Sequence, residues 1–223
     1  MRERPRLGQY GVMRLSHAIF SALLVLLALP REVGAQASVG GAIGALKLSA
    51  ELARAGRERH DPWLLATAAK LRRETPTQAS PRTPDQAAAD KASFDPAEDW
   101  LRDAEQMAPD DQRLTGYISE VRAFAFRGRA GGPKVSTARL GAGGVHRYGE
   151  AFDPARPAVV YVEGDGDSNL ALTVRDASGV QTCAEAGPGD IKICSWTPKA
   201  ASAYRIEIAN RGVVDDRYAF ATN

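Results

Sequence analysis

One short run of this chain carries oxygen-bearing side chains at the spacing of a metal loop. In Asp165-Gly-Asp167-Ser-Asn169 an Asp or Asn recurs at every second position. Calcium is a hard cation that takes about six to eight oxygen ligands, and its loops begin with such alternation. The run then departs from an EF-hand, because Leu170 stands where that loop needs glycine and Asp176, twelfth in order, belongs to the following turn. The plainer reading is a polar turn entering a strand. A calcium ion, the one cofactor the sequence suggests, would be held by Asp165, Asp167 and Asn169. Cys183 and Cys194 lack the Cys-x-x-Cys spacing and the histidine neighbours of a redox or zinc site, so in an oxidising compartment they are expected to form a structural disulfide.

Other chemistry finds little support. His60 stands beside Asp61, and His146 follows the glycine cluster Gly141-Ala-Gly-Gly144; both read as loop residues. No His-Glu-x-x-His, Gly-x-Ser-x-Gly or phosphate-loop motif occurs. The acids Glu98/Asp99 and Asp215/Asp216 are adjacent, and adjacent residues do not face each other on a helix or strand. They read as solvated surface, and no catalytic residue is assigned.

The N-terminus reads as a secretory signal over residues 1–37. Arg2, Arg4, Arg6 and Arg14 form a basic start, and Ala18 to Leu29 is an apolar run too short to span a bilayer comfortably. Pro30 and small residues follow, with cleavage expected after Ala35 or Ala37. Residues 1–37 hold five Lys/Arg and two acids of the chain's 29 and 27, which leaves 24 basic and 25 acidic residues beyond them. That balance gives no electrostatic case for nucleic acid or for an anionic membrane, and no second stretch is long and apolar enough for a stable membrane span. The protein is expected to be periplasmic or secreted.

The elements that must position these residues fall into two halves, an α+β arrangement. From 38 to 127 the periodicity is helical. Ala45, Leu48, Leu52 and Ala55 form one stripe, with Gly56 as a stop; Leu64, Ala68 and Leu71 form another. Asp61-Pro62 and Asp95-Pro96 each pair an N-cap with a proline at the first helical position. Their spacing of 34 residues is that of tetratricopeptide-like helical hairpins. Thr75 to Thr83, rich in Pro, Thr, Ser and Gln, reads as a flexible loop. Ala97, Trp100, Leu101 and Ala104 recur on one face, followed by Leu114, Tyr117, Ile118 and Val121. These stripes are core, or else Trp63, Trp100 and Tyr117 line an exposed groove for a protein partner.

Residues 128–134 form a Gly-rich linker, and from 135 to 223 the period becomes that of strands. Ala158 to Val162 is β-branched and aromatic, Leu170, Leu172 and Val174 alternate with polar or small residues, and so do Tyr204, Ile206 and Ile208. Turns at Asp176–Gly179, Pro188–Asp190 and Asn210–Gly212 separate them, the pattern of an antiparallel β-sandwich. Val162-Glu-Gly-Asp-Gly-Asp-Ser-Asn-Leu170, Leu172-Thr-Val-Arg-Asp176, Cys194-Ser-Trp-Thr-Pro198 and Tyr204-Arg-Ile-Glu-Ile208 make residues 135–222 resemble bacterial pre-peptidase C-terminal-like domains. That resemblance implies a jelly-roll sandwich that accompanies secreted enzymes or stands alone outside the cytoplasm without being catalytic itself. Asn169 and Ala171 stand where the family usually has Asp, a departure from its metal-binding pattern. The expected function is an exported, non-enzymatic binding or scaffold protein of the bacterial envelope, its helices docking a protein partner or envelope component. The alternative is an envelope-acting hydrolase, or an accessory subunit of a secreted enzyme, with the sandwich as targeting module.

Overall fold

Asp61 and Asp95 each precede a proline, and each begins a helix. Asp61 Oδ1 accepts the Leu64 amide at 3.0 Å and Asp95 Oδ1 accepts that of Glu98 at 3.3 Å, satisfying donors the first turn leaves free. The computed structural model describes residues 33–85, 94–124, 131–154 and 156–223, with side chains from Gly41 onward. Four helices come first: α1 (Val33–Arg59), α2 (Pro62–Glu74), α3 (Pro96–Met107) and α4 (Gln112–Ala123). Among the described residues no helix is long and apolar enough to cross a membrane. Residues 1–32 of the expected signal lie outside the described residues. The two expected cleavage positions, Ala35 and Ala37, fall within α1.

The stripe on α1 differs from the expected one. Ile43, Leu46, Ala50 and Ala53 are buried, whereas Leu48 is 50 % exposed. In a segment so rich in Ala and Gly, a single large residue such as Leu48 dominates the apparent period without marking the packed face. Nor does Gly56 end the helix. It is a contact point: a Cβ there would lie 2.9 Å from Leu65 Cγ on α2. The helix runs on to Arg59, and His60, at φ 53°, turns the chain in the left-handed region.

The stretch expected to be a loop instead supplies a short strand, β1 (Gln78–Ala79), which pairs in parallel with β2 (Lys134–Leu140). An edge position leaves its polar side chains in water, so the composition is no obstacle. The 34-residue interval between the Asp-Pro starts therefore contains, among the described residues, one helix and a strand, where a tetratricopeptide repeat holds two helices. Of the expected linker, 128–130 lie outside the described residues and Lys134 already belongs to β2.

The remaining strands are β3 (Val145–Phe152), β4 (Ala158–Glu163), β5 (Leu170–Arg175), β6 (Gln181–Glu185), β7 (Lys192–Trp196), β8 (Ser202–Asn210) and β9 (Asp216–Thr222). They form a five-stranded sheet in the order β1-β2-β9-β4-β7 and a four-stranded sheet in the order β3-β8-β5-β6. All pairs but β1 with β2 are antiparallel. Between the sheets Val160, Leu172, Ile206, Tyr218 and Phe220 close the core. Cys183 on β6 and Cys194 on β7 form the disulfide, tying the edge strands of the two sheets together. A separate core of helix residues centres on Leu65, Leu101 and Ile118. A third cluster joins the halves: Ile43 and Leu46 of α1 pack on Tyr161 and Ala221, on the outer face of the five-stranded sheet.

Candidate functional site

The acidic run lies in the loop between β4 and β5, and the fold adds an acid the spacing did not offer. Carboxylate oxygens of Asp165, Asp167 and Asp216 all lie within 4.8 Å of one another. Asp216 starts β9, is fully buried, and keeps one oxygen without a hydrogen-bond partner, as does Asp165. Its other oxygen accepts the Asp165 amide at 3.2 Å. Gly164 has no room for a side chain, since a Cβ would lie 2.6 Å from both Asp216 oxygens. Burial, with the nearby charge of Asp165 second, pushes the Asp216 carboxyl up to about 8. Burial also raises Asp190, and burial with the Asp165 hydrogen bond raises Asp167. Orphaned buried oxygens in an all-carboxylate set suit a hard divalent cation such as calcium, with Asp165, Asp167 and Asp216 as the residues to hold it.

Asn169, the third expected ligand, is turned elsewhere. With its amide nitrogen toward the 187–189 loop it donates to Gly189 O at 2.8 Å and Gly187 O at 3.2 Å. The Lys192 ammonium serves the same loop, donating to the carbonyls of Gly187 at 2.8 Å, Pro188 at 3.2 Å and Gly189 at 2.8 Å. In sequence Asp216 is one of an adjacent acidic pair with Asp215, which reads as solvated surface. Yet alternation along a strand sends neighbours to opposite sides, and here Asp215 pairs with Arg139 in solvent while Asp216 points inward.

The acidic loop is also where helices meet the sandwich. Arg57 of α1 donates to the Asp165 carbonyl at 2.9 Å and to Asp103 of α3 at 2.8 Å. Gly166, at φ 104°, lets it approach, since a Cβ there would sit 2.7 Å from the Arg57 guanidinium. Arg217 bridges Asp165 at 2.9 Å and Asp99 of α3 at 3.1 Å. Farther along, Arg72 of α2 forms a buried ion pair with Glu163 at the end of β4. It also donates to Ser49 Oγ at 2.9 Å and Leu46 O at 3.0 Å, and its guanidinium lies 5.0 Å from the Trp100 ring centre. Tyr161 donates to the same Glu163 carboxylate; burial, followed by the Glu163 charge, holds the phenol well above its ordinary range.

Beside this pair a cleft of about 750 Å³ opens between the helices and the outer face of the five-stranded sheet. Phe94, Pro96 and Phe124 line the helix side, and Val135, Ala219 and Ala221 the sheet side, with Arg73 and Arg122 among its polar residues. A volume of several hundred Å³ at the junction of two layers is the usual form of a ligand site. A smaller hollow of about 180 Å³, sharing Arg73 and Phe124 with it, is bordered by Tyr117, Lys70 and Val121.

Of the three residues expected to dock a partner, Trp100 is 5 % exposed and belongs to the helical core, so it offers no surface. Trp63 is 41 % exposed and stacks on Tyr117, with ring centres 5.7 Å apart. Tyr117 therefore connects that pair to the smaller hollow. His60 lies exposed at the end of α1, as expected of a loop residue. His146 does not. It is on β3, buried in the sandwich, with Nδ1 2.8 Å from the Tyr218 hydroxyl, which in turn bonds that of Tyr148. Burial lowers its proton affinity.

No protein-family model matches the chain, and no curated protein matches it. Solved structures do. The pre-peptidase C-terminal domain of collagenase from Bacillus anthracis is similar over 41 % of this chain and 89 % of that one, at 12 % identity and a TM-score of 0.37. A periplasmic inhibitor of g-type lysozyme from Aeromonas hydrophila is similar over 45 % and 90 %, at 14 % identity and a TM-score of 0.32. The mitogen derived from Yersinia pseudotuberculosis is similar over 41 % and 86 %, at 10 % identity and a TM-score of 0.34. Apart from β1 and Lys134, the strands of both sheets lie within residues 135–222, the part that resembles pre-peptidase C-terminal-like domains in sequence.

Proposed function

We propose that this chain is an exported, non-enzymatic binding protein of the bacterial envelope whose helices and sandwich together build one receptor cleft for a protein partner. The observation that carries the reading is the cleft of about 750 Å³ at the helix–sheet junction, with Phe94 and Phe124 on one wall and the sheet on the other. Its charged residues are held in pairs: Arg73 with Asp95 and Glu98, Arg122 with Glu98 and Glu105. An apolar floor rimmed by compensated charges suits a peptide segment whose side chains alternate between the two. Export is supported by the disulfide, a bond that persists in oxidising compartments. The calcium site at Asp165, Asp167 and Asp216 serves, in this reading, to fix the loop on which α1 and α3 rest.

Photo-crosslinking from a residue substituted at exposed Phe124, in the full chain mixed with envelope extract, tests the reading. A discrete partner captured there, and lost when Thr77→Trp narrows the cleft, supports it. Capture that Thr77→Trp leaves undiminished would overturn it. The calcium part is tested by thermal melting with calcium and with chelator: a rise with calcium that Asp216→Asn removes is expected, and an identical melt in both solutions rejects it.

A further inference from the structure

The outer face of the four-stranded sheet carries an arginine pair that strand pairing does not explain. The ladder sets Arg175 of β5 directly opposite Arg205 of β8, and Gly149 of β3 opposite Arg205 on its other side. Like charges facing one another across a ladder repel. The acids nearby do not relieve them. Glu207, two residues along β8, accepts Arg147 Nε at 2.9 Å. Asp176 turns one oxygen into its own turn, accepting the Ser178 amide and hydroxyl and the Val180 amide. Arg175 donates to the Gly179 carbonyl at 3.3 Å, and Arg205 makes no hydrogen bond or ion pair among the described residues.

A cleft of about 500 Å³ opens over this pair, bordered by Gly149, Ala203, the turn at 176–179 and Asp85. Its floor is flat because Gly149 and Ala203 project little, and a Cβ at Gly149 would meet nothing within 4 Å. A guanidinium presents its donors as a rigid fork matched to carboxylate, sulfate and phosphate, and two such forks side by side converge on one oxyanion. We propose that this cleft is an oxyanion-binding site, in which Arg175 and Arg205 grip the phosphate, sulfate or carboxylate group of a small ligand lying over Gly149. A bound anion turns the repulsion between the pair into two charge-assisted contacts. The site faces away from the junction cleft, on the other sheet, and does not depend on what that cleft holds.

The test is calorimetric titration of the full chain, at low ionic strength, with inorganic phosphate, sodium sulfate and sodium glucuronate in separate arms. Saturable binding of at least one is expected, and the strongest identifies the group the site reads. Arg205→Gln and Arg175→Gln should each weaken it about tenfold, the loss of one charge-assisted contact, and the double variant should abolish it. Arg54→Gln, at another exposed arginine, on α1, should leave it unchanged. Without anion, the two single variants should melt no lower than the native chain, because repulsion is relieved. Absence of saturable binding, equal affinity in the double variant, equal weakening by Arg54→Gln, or a lower melt of Arg205→Gln would each overturn the proposal.

Discussion

The two outer faces of the sandwich are made of similar strands and meet opposite surroundings. On the five-stranded sheet Tyr161, Val159 and Ile193 point outward into a cluster with Ile43 and Leu46 of α1. On the four-stranded sheet the outward row holds Arg147, Arg205, Glu207 and Thr173, and no helix among the described residues packs on it. The difference is written in the strands. β4 opens Ala-Val-Val-Tyr-Val, five apolar residues in a row before Glu163, because both of its faces are buried, whereas β8 alternates because only one is. A continuous apolar run in an antiparallel sheet thus says that something lies across it, and here that something is α1.

This contrast can be broken most severely at Glu163. Glu163→Ala leaves Arg72 buried without its counter-charge, and loss of one partner of a buried pair costs about 3–5 kcal/mol; urea unfolding of the variant should show it, and a loss under about 1 kcal/mol would mean the covered face does not rest on this pair. Next, Leu46→Ala opens the helix–sheet contact and should cost about 3 kcal/mol. Cys183→Ser should lower stability by a similar amount, about 3 kcal/mol, since the bond closes a loop across 11 positions.

A smaller effect comes from pH. Burial holds the His146 proton affinity below its ordinary value, so the unfolded chain takes up this proton first. Its contribution is therefore intact at neutral pH and is lost as pH falls through about 6.5 toward the lower folded value. The carboxyls raised by burial, Asp216 above all, gain protons in the same window and act the other way. The His146 effect is therefore read as a difference: between about pH 7.5 and about pH 5 the native chain should lose urea midpoint relative to His146→Leu. Smallest of all, Thr173→Ala on the outer face of the four-stranded sheet should change stability by no more than about 0.5 kcal/mol. A cost approaching that of Leu46→Ala would show that this face, too, is covered in solution.

The strand half was legible because its alternation and turn residues are local signals. The Cys183–Cys194 bond and the Asp61 and Asp95 caps were legible for the same reason. What escaped is what depends on distant pairing. β3, and with it the burial of His146, was hidden by the glycine cluster before it, which looks like slack chain. Asp216 joins Asp165 and Asp167 only because β9 lies beside β4, some fifty positions away in sequence. Trp100 and Trp63 are alike on paper. Only the packing of α3 between its neighbours separates the buried ring from the exposed one.

The short strand β1 has a consequence for how this protein can be taken apart. Through Gln78 N–H to Pro133 O at 2.9 Å and Ser80 N–H to Val135 O at 2.7 Å, it occupies the open edge of β2, and Arg82 ties the same segment to Ser136 and Thr222. Cutting away the helical half along with this strap strips the blocking segment from a seven-residue strand rich in unpaired donors and acceptors. The liberated sandwich is then a template for edge-to-edge growth: it should pair with its own copies and sediment as oligomers, and adding back a peptide of residues 75–83 should return it to monomers.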